Sequence, residues 1–120
     1  MGKCLQYPIK IVQGVDFVWP LTFYQADRVT PRDLRGYHAK MQIRASLSDS
    51  TVIQELSTEN GMITIVGLTG QVLCLIGGAT TGMYQYPVEG VYSLHLISGI
   101  GAVERPLNGP AYFVLDATRS

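Results

Sequence analysis

The side chains that could do chemistry are few and scattered. His38 and His95 each stand in an alternating polar and apolar stretch, with no third ligand at the spacing a metal site needs. Cys4 and Cys74 lie far apart, so they form neither a metal-ligand pair nor a disulfide framework. Cys74 falls inside an apolar run and reads as a small buried hydrophobe. Ser, His and Asp all occur, but there is no Gly-x-Ser-x-Gly elbow to present a nucleophile. The segment Ile76-Gly77-Gly78-Ala79-Thr80-Thr81-Gly82 is glycine-rich yet lacks the Gly-Lys-Ser/Thr ending that meets phosphates, so it reads as a turn leading into a short helix. The carboxylates fall mostly in turns and at strand ends, where bonding to nearby backbone amides accounts for them. No enzyme, cofactor or metal site follows from these residues.

What positions such residues is a series of short strands. From Tyr37 to Ala45 the odd positions are Tyr37, Ala39, Met41, Ile43 and Ala45, and the even ones His38, Lys40, Gln42 and Arg44. That period of two marks a half-buried strand with one wet face. Pro31, Asp33 and Gly36 supply the turn that delivers the chain into it. Earlier, Tyr7–Gln13 and Phe17–Tyr24 read as strands, with Phe17, Trp19, Leu21 and Phe23 on one core-facing side and Pro20 marking an edge or a bulge. Val52–Leu56 and Met62–Val66 flank a reversal at Asn60-Gly61. Gln71–Ile76 is apolar on both faces and reads as a central strand, Gly90–Ile97 alternates, and Ala102–Leu107 and Ala111–Leu115 close the chain. Only Gly78–Gln85 offers a helix, with Thr80 or Thr81 as its N-cap and Pro87 ending it. Many short strands with regular turn signals predict a single domain over residues 1–120, an all-β antiparallel sandwich, immunoglobulin-like or related, with at most one short helix.

The bulk composition narrows the classes of partner. Nine Lys and Arg balance nine Asp and Glu, and the charged fraction is only 15%. A neutral, charge-poor chain argues against nucleic acid, which is bound through clustered cations. Mean hydropathy is positive, but no apolar run approaches the roughly 20 residues of a spanning helix. The start, MGKCLQYPIKIVQG, carries no continuous apolar stretch of signal-peptide length and has Gln6 where a myristoylation signal prefers Ser or Thr. The expectation is synthesis in the cytoplasm without export by the general pathway, and no membrane partner.

Several phrases then point in one direction. They are Gly14-Val15-Asp16-Phe17, Asp33-Leu34-Arg35-Gly36-Tyr37 leading to Met41-Gln42-Ile43-Arg44, Thr80-Thr81, Gly90-Val91-Tyr92-Ser93-Leu94, Val103-Glu104-Arg105-Pro106-Leu107-Asn108-Gly109 and the terminal Ala117-Thr118-Arg119. In this order the chain resembles small virion proteins of tailed bacteriophages, related to the N-terminal module of the baseplate upper protein. It departs from their pattern at Arg35, where Thr is usual, at Ser93, where Asp is usual, and at Asp116-Ala117, where an apolar residue is common.

The resemblance implies a structural component of a phage particle, whether tail or baseplate adaptor, head-to-tail joining protein, fibre anchor or capsid decoration. Its location would be the virion and its partners other virion proteins, in a multimeric arrangement with no small-molecule substrate. A low charge suits a chain covered in an assembly, because interface cores are depleted in charge. The expected assembly contacts are Arg32 and Arg35 in the loop before the strand, the Met83, Tyr84 and Tyr86 patch, and Arg119 near the C-terminus; arginine forks pair bidentately with carboxylates. The alternative is a freestanding ligand- or carbohydrate-binding sandwich, for which Tyr84, Tyr86, Trp19 and Tyr112 would have to form an exposed aromatic platform.

Overall fold

The structure, a computed structural model, describes residues 5–49, 51–83 and 88–114. Two sheets face each other. In the larger, β1 (Leu5–Gln6) and β2 (Ile9–Val12) lie beside β9 (Val103–Val114), followed by β8 (Val88–Ile97), β4 (His38–Arg44) and β5 (Val52–Ser57). The smaller sheet has the order β3 (Phe17–Thr22), β7 (Gln71–Ile76), β6 (Ile63–Val66). All pairings are antiparallel except those of β1 and β2, which run parallel to β9. Labelled by immunoglobulin convention, this is B–E–D facing G–F–C–C′, with the N-terminal strand added at the G edge. The protein is an all-β sandwich of immunoglobulin type.

Alternation decides which residues enter the core. Ala39, Met41 and Ile43 of β4, Tyr92, Leu94 and Leu96 of β8, and Leu107, Ala111 and Phe113 of β9 are buried on the larger sheet. Val72, Cys74 and Ile76 of β7 with Ile63 of β6 meet them from the smaller one, and Phe17, Trp19 and Leu21 of β3 are half-buried against the same core. Pro20 lies on β3, an edge strand, where its missing N–H leaves no ladder bond unmade. The turn before β4 forms as its composition requires: the Arg35 N–H donates to Asp33 Oδ1 at 3.0 Å, and Gly36 takes φ +80°.

Four local expectations change. The Asn60-Gly61 reversal does not pair its flanking strands, because β5 belongs to the larger sheet and β6 to the smaller. Instead Asn60 Oδ1 accepts the Ser57 and Met62 N–H groups while its Nδ2 donates to Glu55 O, bracing a crossover between sheets. The two closing strands are one continuous β9, whose register against β8 shifts between Leu94 and Leu96. The extra residue falls at Arg105-Pro106 as a bulge, while Asn108-Gly109-Pro110, which reads in sequence as a break, stays in register opposite Ser93, Tyr92 and Val91. The helix is the single turn α1 (Gly78–Thr81), and neither Thr80 nor Thr81 caps it. Gly77 occupies the cap position, and the Gly78 N–H donates to Asp16 Oδ1 at 2.7 Å, while the Thr81 hydroxyl donates to Val15 O at 2.9 Å. Finally, β7 is central as expected, but only one of its faces is buried; Leu73 and Leu75 point outward.

At the N-terminal edge, three residues solve one problem. The Tyr7 N–H donates to Asn108 O at 2.9 Å, so residue 110, two positions on, presents its backbone nitrogen to the same neighbour. That residue is Pro110 and has no hydrogen to give. Tyr7 O instead accepts the Tyr92 hydroxyl at 2.6 Å. The carbonyl passes so close over Gly109 that a Cβ there would lie 2.6 Å from it. The same contact places the Tyr7 ring parallel to Trp19 at 5.8 Å, and Trp19 meets Tyr92 edge-on at 5.7 Å. An aromatic cluster thus joins the sheets between β3 and β8, the strands that a disulfide links in antibody domains.

Candidate interaction surfaces

The expected assembly residues go different ways. Arg32 is engaged within its own chain: Nη1 and Nη2 donate to Glu104 Oε1 and Oε2 at 3.1 and 2.8 Å, and Nη2 also reaches the Tyr37 hydroxyl at 3.4 Å. Its guanidinium carbon lies 5.8 Å from the Tyr37 ring centroid. This fork ties the β3–β4 connection to β9, and it holds the Glu104 carboxyl below its ordinary range against the opposing effect of burial. Arg35 pairs with Asp33 at 2.6 Å on an exposed turn, which brings the Asp33 pKa down to about 2. Met83 is exposed at the end of α1. Tyr84, Tyr86 and Arg119, like Cys4, lie outside the described residues.

The residues considered for chemistry are also placed. Cys74 is fully buried on β7 between Trp19 and Ile63 on the flanking strands, and desolvation pushes its pKa up to about 12, so it carries no thiolate at neutral pH. His38 Nδ1 lies 3.4 Å from Glu59 Oε2 at an exposed site. Among the described residues no group of three or more His, Cys, Asp and Glu side chains could hold a metal ion, and no helix is long and apolar enough to cross a membrane. Turn carboxylates act as turn carboxylates: Asp27 accepts from the Val29 and Thr30 N–H groups and the Thr30 hydroxyl, which lowers its pKa.

Two sheet faces remain, and they differ in character. On the smaller sheet the outward residues are Val18, Pro20 and Thr22 of β3, Gln71, Leu73 and Leu75 of β7, and Thr64 and Val66 of β6. None is charged. Val18, Val66, Leu73 and Leu75 are between 38% and 55% exposed, and Val18 stands directly opposite Leu75. An uncharged sheet face carrying four exposed aliphatic side chains is typical of one that packs against protein.

The larger sheet presents the opposite. Its outward side over β4 and β8 is a concavity of about 400 Å³ whose lining includes Lys40, Gln42, Arg44, Leu47, Ser93 and His95. Across the two strands Lys40 pairs with His95, Gln42 with Ser93 and Arg44 with Val91. Arg44 is held in place: its Nη1 donates to Asp49 O at 2.9 Å and its Nη2 to Gln42 Oε1 at 2.7 Å, while Gln42 Nε2 donates to Glu55 Oε1 at 2.7 Å. The side chains of Lys40 and His95 have no hydrogen-bond or ion-pair partner among the described residues. The wet face of β4 is legible as such in the sequence, but its role as one wall of a cationic trough depends on pairing with β8, some fifty residues on. No exposed aromatic platform forms from the described candidates: Trp19 is half-buried in the inter-sheet cluster and Tyr112 lies on the outer side of β9.

Fold and surfaces together define an immunoglobulin-type sandwich with an uncharged face on one sheet and a cationic trough on the other. No family model matches the sequence, and no curated protein does. Among solved structures, a chain from a photo-crosslinking study of multimeric cell-adhesive interactions of VGSC beta subunits is similar over 94% of this chain and 93% of that one, at 11% identity and a TM-score of 0.47. The extracellular domains 3–5 of Drosophila OTK are similar over 90% of this chain at 12% identity and a TM-score of 0.34, with this chain spanning 32% of that one.

Proposed function

We propose that the protein is a structural, non-enzymatic component of a tailed-phage particle that acts by packing against other virion proteins. The observation that carries the packing role is the outer face of the smaller sheet, where eight outward residues on three strands include no charge. Leaving Val18, Val66, Leu73 and Leu75 in water forgoes roughly 25 cal/mol for each Å² of apolar surface that a partner would cover. The virion setting draws its support from the ordered sequence phrases, from Gly14-Val15-Asp16-Phe17 through Asp33–Tyr37 to Ala117-Thr118-Arg119.

Mass spectrometry of purified particles, with peptide copy number set against the major capsid protein, tests the setting. A stoichiometric presence is expected, and its ratio distinguishes tail from shell; complete absence overturns the reading. Leu73→Glu tests the face. The variant should fold, since the side chain points outward, yet fail to enter particles; normal incorporation would remove this face from the assembly.

A further inference from the structure

We propose that the trough over β4 and β8 is a docking site for an acidic segment of a partner protein, laid extended along the strands with two carboxylates four residues apart. The inference rests on the assembly reading for its partner but on separate residues for its chemistry.

Lys40 and His95 stand directly opposite each other on antiparallel strands, so their Cβ atoms are about 5 Å apart. The Lys40 ammonium and the His95 ring thus present N–H donors side by side, and neither side chain has an acceptor within the described chain. An incoming carboxylate between them would accept a charge-assisted bond from each. The second pole is Arg44, four residues along β4, which at the rise of a strand is roughly 13 Å away. Its guanidinium is already oriented by Asp49 O and Gln42 Oε1, so little further ordering is needed to bind.

The residues between the poles set the spacing. Gln42 and Ser93 are uncharged and face each other midway, and Glu55, whose Oε1 accepts from Gln42 Nε2, adds a negative charge beside them. A third carboxylate at the centre would meet Glu55, so the middle position of the ligand must be neutral. In an extended strand, residues i, i+2 and i+4 share one face. The complementary segment therefore carries Glu or Asp at its first and fifth positions and an uncharged residue, such as Ser, at its third, with Leu47 in the trough lining beside it.

The test uses the intact protein and two peptides of equal length and charge, Ac-AEASAEA-NH₂ and Ac-AEASEAA-NH₂, titrated while amide shifts of residues 38–44 and 91–97 are followed by NMR. The first peptide should bind at least fivefold more tightly than the second, with shifts centred on Lys40, Gln42 and Ser93. Lys40→Glu, an exposed and unpartnered position, should abolish the preference without altering the rest of the spectrum. Equal binding of both peptides would mean charge attraction without register and would overturn the proposal. So would displacement of the peptide by an equimolar amount of inorganic phosphate, which would make the trough a site for free oxyanions. If peptide binding holds while particles lack the protein, the virion setting fails and the trough stands.

Discussion

The Tyr92 hydroxyl donates to the Tyr7 carbonyl at 2.6 Å, joining residues 85 apart in the chain. It replaces a ladder bond that Pro110 cannot make, and it anchors the N-terminal strand at the one place where β1 and β2 are interrupted. The bond therefore matters more than its number among many would suggest.

Tyr92→Phe leaves Tyr7 O near Gly109 without its donor while keeping the ring against Trp19. Loss of the bond at this part-buried site should cost about 1 kcal/mol. Urea denaturation should show that loss, and hydrogen exchange of the Ile9–Val12 amides should accelerate more than that of β4 or β8. Uniform acceleration across the sheet would show that the bond does not act on the N-terminal strand in particular.

Gly109→Ala should release the same strand by another route, because the new Cβ would sit 2.6 Å from Tyr7 O. If both substitutions work through displacement of Tyr7, the double variant should lose clearly less than the sum of the singles. Additive losses would mean that Gly109 serves the β9 backbone independently.

The Arg32–Glu104 fork should make stability depend on pH. Arg32 lowers the Glu104 pKa in the folded state below the ordinary 4.5. A depressed carboxylate contributes stability that is present above its unfolded value and lost as pH falls through the folded value. The pair is only partly buried, so the contribution is discounted for solvent screening to about 1 kcal/mol. Glu104→Gln should be less stable than the wild type at pH 7 and converge with it as pH falls below the ordinary carboxylate range. A constant gap across that range would assign the loss to packing on Tyr37 rather than to charge.

Much of the fold was readable in the chain because period-two alternation is local. Ala39, Met41 and Ile43 were legible as core, Pro20 as an edge and Gly36 as a turn, each from its immediate neighbours. What was not legible depends on distant partners. The cap of α1 comes from Asp16, 62 residues earlier than the amide it accepts from. Arg32 looks like a free loop arginine until Glu104, 72 residues on, is placed beside it. Gly109-Pro110 reads as a strand break because nothing local reveals that Tyr7 passes over the glycine and Tyr92 substitutes for the proline's missing donor. The cationic trough is of the same kind: Lys40 and Arg44 are an ordinary wet strand face until His95 is opposite.

Cys74 offers a test of the core itself. Its side chain lies between Trp19 and Ile63 with its pKa pushed up to about 12, so native protein should leave it unmodified by a thiol reagent that labels it fully after unfolding in guanidinium. Peptide mapping separates it from Cys4. Two substitutions then distinguish volume from polarity. Cys74→Ala removes one atom of bulk and should cost about 1 kcal/mol. Cys74→Ser keeps nearly the original shape but strands a hydroxyl among apolar side chains, and should cost about 2 kcal/mol. If Ser is tolerated better than Ala, the site admits a hydrogen-bond partner for the hydroxyl, and the interior between β3 and β6 is not the dry apolar layer that its burial implies.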